Sequence, residues 1–135
     1  HNKDWPYLIE QCIHDDIGFL PWSPLAGGAL TGKYLHGARP KGTRWTMQQR
    51  NGLFRDSLQS NQAIEQYVEI ANGYCITPAQ LALAWCNGID GVTSTIIGAT
   101  TLTQLEEDIA AFDITLTDEI NEEVNRVLNL FPSPF

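Results

Sequence analysis

The stretch Gly27-Gly28-Ala29-Leu30-Thr31-Gly32-Lys33-Tyr34 combines two residue types from which phosphate sites are built. Glycines let backbone N–H groups approach an anion closely, and a lysine adds a positive charge. The spacing, GxxxxGK after an apolar run, is that of the phosphate loop of nucleoside triphosphatases. The match fails at the last position. Tyr34 replaces the Ser or Thr hydroxyl that would hold magnesium, and residues 93–98 offer no carboxylate for the ion. What survives is a backbone anion site, with a ligand-free glycine turn as the plain alternative.

A second candidate is Ile97-Gly98-Ala99-Thr100-Thr101, an apolar run leading into a capped helix start. Unpaired N–H groups and the helix dipole favour phosphate there. Taken alone, Thr100 and Thr101 serve equally well as plain caps. Together, two phosphate-suited turns after consecutive strands match the recurrent phosphate site of the eight-stranded barrel.

Groups for acid–base or nucleophilic chemistry are poorly arranged. His1, His14 and His36 have no partner at a suggestive spacing, Cys12-Ile13-His14 forms no catalytic pattern, and GxSxG is absent. No catalytic residue is assigned. His14-Asp15-Asp16 reads as a solvated helix end rather than a metal site, and no metal ligand is assigned. Cys12, Cys75 and Cys86 are odd in number and form no CxxC, which predicts reduced packing residues. Trp22 and Trp85 lie in apolar runs and are expected in the core, whereas Trp45 is a candidate to stack on a sugar or base.

Charge sharpens the picture. Six of the eight basic residues, Lys33, Arg39, Lys41, Arg44, Arg50 and Arg55, fall between positions 33 and 55, where no Asp or Glu occurs. The rest of the chain carries two basic residues against all 16 acidic ones. Such a protein repels nucleic acid, so one basic segment points to a compact anionic ligand, or else to a solvated loop. No run approaches the roughly 18 apolar residues of a membrane span, and residues 1–20 lack the features of a signal peptide. The chain starts at His1 with Met47 as its only methionine, so further sequence is expected upstream.

The elements that must position these residues follow from periodicity. Residues 5–16 read as a helix with Leu8, Ile9, Cys12 and Ile13 at helical spacing, and residues 18–23 as a short strand containing Pro21. Residues 26–56 read as a long loop with one helical turn near Leu30–Tyr34. A helix over 60–72 buries Ile64, Tyr67, Val68 and Ala71 and stops at Asn72-Gly73. Thr77-Pro78-Ala79-Gln80 is a capping box for a helix ending at Asn87-Gly88. Residues 93–97 read as a buried strand. Thr101, with Gln104, starts a helix whose inner face is Leu102, Leu105, Ile109 and Phe112. Thr117 starts the last, with Ile120, Val124, Val127 and Leu128 inward and Pro132 and Pro134 beyond it. The alternation is that of parallel α/β architecture, and two parallel strands need neighbours that this sequence does not supply.

At Pro21–Tyr34 (PWSPLAGGALTGKY), Thr77–Trp85 (TPAQLALAW) and Thr95–Asp108 (TIIGATTLTQLEED) the chain resembles the aldo-keto reductase superfamily, most nearly the potassium-channel β-subunit-like branch. The ending LFPSPF is similar to some bacterial members. The resemblance covers residues 1–135 and implies about the C-terminal 40% of a (β/α)8 TIM barrel, with two parallel strands, surrounding helices and a long cofactor loop. It implies NADP(H), bound without a Rossmann motif, and a cytoplasmic parent enzyme that reduces aldehydes or ketones.

By position, the resemblance places Ser23, Pro24, Leu25 and Gly27 around the pyrophosphate. Gly98, Thr100, Gln104, Glu107 and Asp108 fall around the adenosine and its 2'-phosphate, with Lys33 and Arg44 adding charge. Asp108 stands where the family usually has Asn, and Gln104 where it often has Arg. The catalytic Asp, Tyr, Lys and His of the family match no segment here, and the adjacent Lys33 and Tyr34 are not that pair. The chain alone is therefore expected to be inactive and to need the N-terminal half of the barrel. Its exposed strand edge is expected to invite self-association. Two other readings stay open: a non-catalytic interaction or regulatory protein of the channel-subunit type, and a free-standing nucleotide-binding module.

Overall fold

A computed structural model describes residues 5–47 and 55–132; His1, Arg50 and Pro134 lie outside them. The helices are α1 (Trp5–His14), α2 (Arg44–Met47), α3 (Leu58–Gly73), α4 (Pro78–Asn87), α5 (Leu102–Ala110) and α6 (Asp118–Leu130). Short 3-10 segments occupy Ala26–Thr31, Leu35–Gly37 and Ala111–Asp113.

Helix starts follow their side-chain chemistry. Before α4, Thr77 Oγ1 accepts the Gln80 N–H at 3.1 Å while Gln80 Oε1 accepts the Thr77 N–H at 3.0 Å, and Pro78 opens the helix. A second capping box starts α3, from Ser57 and Ser60, so this helix begins at Leu58 rather than at residue 60. It also ends differently from expectation. Gly73 stays helical, and the left-handed residue of the turn is Cys75, at φ 56°. Cys75 is consequently exposed, whereas Cys12 and Cys86 are buried as expected.

Two cores share α3. On one side Ala63, Ile70 and Ala71 pack with Leu81 of α4 and with Ile120, Val124 and Val127 of α6. On the other side Ile64 packs with Ala26, Ala29, Tyr34 and Trp45. The long segment after residue 26 is thus no open loop; its described residues include the helical pieces Ala26–Thr31, Leu35–Gly37 and Arg44–Met47 and an apolar cluster that pins it to α3.

The two strands expected at 18–23 and 93–97 are not formed among the described residues. In their place stand two isolated parallel bridges, Phe19 to Val92 and Trp22 to Ile96. Thr93 N–H donates to Phe19 O at 2.9 Å, and Ile96 N–H to Pro21 O at 3.0 Å. Pro21 has no N–H with which to continue the ladder, and a parallel pair without flanking strands has little to stabilise it.

The same want of neighbours exposes side chains expected inside. Trp22 is 76% exposed and Ile96 51%. In α5, Leu102 is 70% and Ile109 56% exposed and Leu105 is also exposed, while Asp108 on the flank of this stripe is buried and the helix leads to the buried Ala111. Phe112 is half-buried and Trp85 packs partly against the α3–α6 core. The helical period of α5 is right, but the surface that its apolar stripe requires is not among these residues.

Candidate anion-binding site

Because the bridges are parallel, the segments after Trp22 and after Ile96 leave from the same end of the pair. Ser23, Pro24, Leu25, Gly27 and Lys33 follow the first, and Gly98, Thr100, Gln104, Glu107 and Asp108 follow the second.

The first turn is tightly wound. Ala26 N–H donates to Ser23 O at 2.8 Å and Gly28 N–H to Leu25 O at 2.9 Å, with Ser23, Ala26, Gly27 and Gly28 at φ 57°, 50°, 69° and 90°. Left-handed geometry at the non-glycine residues Ser23 and Ala26 costs on the order of 1–2 kcal/mol each. Such strain concentrates at functional sites.

Cations gather on this turn. A Cβ on Gly27 would lie 3.3 Å from Arg55 Nη1 and 3.7 Å from Arg44 Cδ, and one on Gly28 would lie 2.9 Å from Lys33 Nζ. Glycine is what lets these side chains close over the backbone. Burial first, and then the neighbouring charge of Arg44, lower the pKa of Arg55 from its ordinary value.

Tyr34 and Trp45 form the floor. Their rings stack at 4.0 Å with 7° between planes, and the Arg39 guanidinium sits over Trp45, 5.1 Å from the ring centre. Arg39 also donates to the carbonyls of Ala38 and Tyr34 and pairs with Asp56, whose other oxygen accepts from Asn61 Nδ2 at 3.3 Å. Arg39 thereby clasps the basic segment to the start of α3. Trp45 is 8% exposed and stacked within the chain, so the role of a free platform for a sugar or base is not what its surroundings provide. Spacing could not single out Arg55 or Arg39, which stood out only as members of a basic run.

The second turn is acidic. Gln104 Oε1 accepts from both Thr100 N–H and Thr100 Oγ1, at 3.0 and 2.9 Å, and Thr101 Oγ1 caps the Gln104 N–H at 3.2 Å. The Gln104 amide oxygen thus braces Thr100 rather than Thr101, and both threonines act in capping. Gly98 is open, with nothing within 4 Å of a Cβ built on it. Glu107 is half-buried, and Asp108 is 3% exposed with its pKa raised by burial and then by Glu107. From residue 57 onward Arg126 is the single basic residue of the sequence.

Beside Ser23 and Pro24 lies an apolar groove of about 310 Å³, lined among others by Phe19, Trp22, Tyr67, Trp85 and Cys86. Among the described residues, Tyr67 and Cys86 are the titratable side chains that line it. Burial pushes the Tyr67 hydroxyl up to about 12 and raises the Cys86 thiol, so neither is poised for proton transfer at neutral pH. Among the described residues no group of three or more His, Cys, Asp or Glu could hold a metal ion, and no helix is long and apolar enough to cross a membrane.

The pattern of the aldo/keto reductase family matches residues 4–129. The chain belongs to that family. This aldo/keto reductase chain is 35% identical to protein tas of Escherichia coli over 127 residues, 94% of the chain and 36% of that protein. It is 37% identical to a probable voltage-gated potassium channel subunit beta of Arabidopsis thaliana, covering 98% of the chain and 41% of the relative. A similarly described rice protein is 35% identical over 86% of the chain and 37% of its own length. The chain spans between a third and about two-fifths of these relatives.

Proposed function

We propose that this chain is the C-terminal, cofactor-binding part of an NADP(H)-dependent aldo-keto reductase of the cytoplasm, whose (β/α)8 barrel is completed by an N-terminal half and which reduces aldehydes or ketones. The observation that carries the proposal is the convergence of Lys33, Arg44 and Arg55 on the Gly27–Gly28 backbone, at the end of the parallel pair from which the Gly98–Thr101 turn also departs.

The residues fit the cofactor. A Cβ at either glycine would crowd the cradle, the cations match a pyrophosphate, and α5 presents a helix start to a further phosphate. Ser23, Pro24, Leu25 and Gly27 would wrap the pyrophosphate, with Lys33 and Arg44 neutralising it. Gly98, Thr100, Gln104, Glu107 and Asp108 would surround the adenosine end. When bound, the cofactor supplies a hydride for the carbonyl carbon; the described residues bind and orient it but bring no acid–base group to the groove. Catalysis is assigned to the other half of the barrel, and the unpartnered apolar stripe of α5 supports its docking.

A second reading draws on that same stripe and on the names of the plant relatives: a non-catalytic interaction protein, for which the apolar face is the binding surface. A free-standing nucleotide-binding module is a third. Calorimetric titration of the chain with NADPH separates them. Saturable heat without NADPH oxidation on addition of an aldehyde supports the cofactor-binding part, and oxidation by a fusion to the upstream half of a relative completes it. Absence of heat refutes cofactor binding by the chain and leaves the interaction reading, which a stable cofactor-free complex in a pull-down would support.

A further inference from the structure

Trp45 carries a buried polar atom without a partner among the described residues, Nε1, in a side chain that is 8% exposed. Leaving such a donor unpaired costs on the order of 1–3 kcal/mol. Its location is informative. A Cβ built on Gly27 would lie 3.9 Å from Trp45 Nε1, next to its approaches to Arg55 Nη1 and Arg44 Cδ. The faces of the indole are engaged by Tyr34 and by the Arg39 guanidinium, so what Trp45 presents to the glycine turn is its N–H edge.

We propose that Trp45 contacts the ligand directly, its indole N–H donating to an oxygen of a phosphate group seated over Gly27 between Arg44 and Arg55. This deepens the cofactor-binding reading by assigning one more donor to the same site, and for a diphosphate ligand it rests on that reading. Arg44 and Arg55 are long, flexible side chains able to part and then fold onto the arriving anion. The Arg39 clasp to Asp56 and the Tyr34 stack keep the indole from turning away to find water. An indole is a neutral donor, so it adds direction where the two guanidiniums and Lys33 add charge.

The test compares the wild-type chain with Trp45→Phe, which keeps an aromatic ring to stack on Tyr34 and removes the donor edge together with part of the indole. Both are titrated calorimetrically with NADPH and, separately, with inorganic pyrophosphate, after melting curves have shown that the smaller ring leaves the chain folded. Loss of one charge-assisted hydrogen bond is expected to weaken both ligands roughly 10- to 100-fold. Equal affinity of variant and wild type for NADPH overturns the inference and leaves the cofactor reading standing. Pyrophosphate binding that depends on Trp45, with no binding of NADPH, upholds the inference and sinks the cofactor reading. No binding of either probe by the wild type sinks both. Where Trp45→Phe does not fold, nitrogen-15 spectra of the wild type decide. The exchange-protected indole N–H signal is expected to move downfield on adding pyrophosphate, and an unmoved signal overturns the inference.

Discussion

Two glycines of the basic segment allow backbone strain to be separated from ligand binding. Gly28 lies at φ 90° and Gly37 at φ 76°, so an alanine at either is held in the left-handed region. That should cost on the order of 1–2 kcal/mol, lowering the melting temperature by a few degrees in each case. Their surroundings differ. Nothing lies within 4 Å of a Cβ at Gly37, whereas one at Gly28 would meet Lys33 Cε and Nζ at 2.9 Å and Tyr34 Cε2 at 3.6 Å. The Lys33 side chain is flexible enough to swing aside, so the added steric cost to folding at Gly28 is small, but its ammonium then leaves the turn. Loss of one charged contact to phosphate corresponds to roughly 10- to 100-fold in affinity. Melting curves for Gly28→Ala and Gly37→Ala should therefore nearly coincide, while NADPH titrations should separate, with Gly37→Ala close to wild type. Equal affinities for the two variants would refute the assignment of Lys33 to the anion.

Three more outcomes follow from the same contacts. Asp108 has its pKa raised by burial and by Glu107, so the fold disfavours its ionised form. The resulting cost is absent below the unfolded carboxylate pKa, develops between that value and the higher folded one, and is complete above it; Asp108→Asn should gain up to about 1 kcal/mol at pH 7 in urea unfolding, with the gain vanishing toward pH 4. Removing one half of the α4 capping box with Thr77→Ala should cost about 1 kcal/mol, seen as a lower denaturant midpoint at unchanged slope. Charging the exposed stripe with Leu102→Lys and Ile109→Glu should reduce self-association in sedimentation while changing stability by no more than about 0.5 kcal/mol; a wild-type chain that sediments as a monomer would remove the basis for this.

Local signals were legible and relational ones were not. The α4 start was readable because Thr77, Pro78 and Gln80 act on one another over four residues, and the inward positions of α6 because Ile120, Val124 and Val127 repeat at the helical period. The α5 stripe was equally readable as a period, but its burial depends on what lies opposite, and Leu102 and Ile109 face no described residue that covers them. The strands failed for the same reason: a β-branched run such as Thr93–Ile97 becomes a ladder only beside another strand, and Pro21 interrupts the one available. In the candidate site, glycine and lysine types gave away the first turn. The clasp of Arg39 on Asp56 and the approach of Arg55 to Gly27 span 17 and 28 positions of sequence with no period to mark them.

The charges of the two turns give the candidate site a direction. Lys33, Arg44 and Arg55 cluster on the first, whereas Glu106, Glu107 and Asp108 follow the second with only Arg126 as a basic residue after position 57. The pyrophosphate of the ligand would be drawn to the Gly27 turn, while the carboxylates on the flank of α5 would offset part of the attraction for a further phosphate there, so the first turn would supply most of the salt-dependent affinity. The second turn would then contribute backbone donors and shape, since Thr100 and Gln104 are already engaged with each other. On this account raising the salt concentration weakens binding to nearly the same endpoint as neutralising the first turn. Removing the carboxylate of Asp108 works in the opposite direction, and the size of that single effect on NADPH affinity grows with how near the ligand's phosphates come to α5.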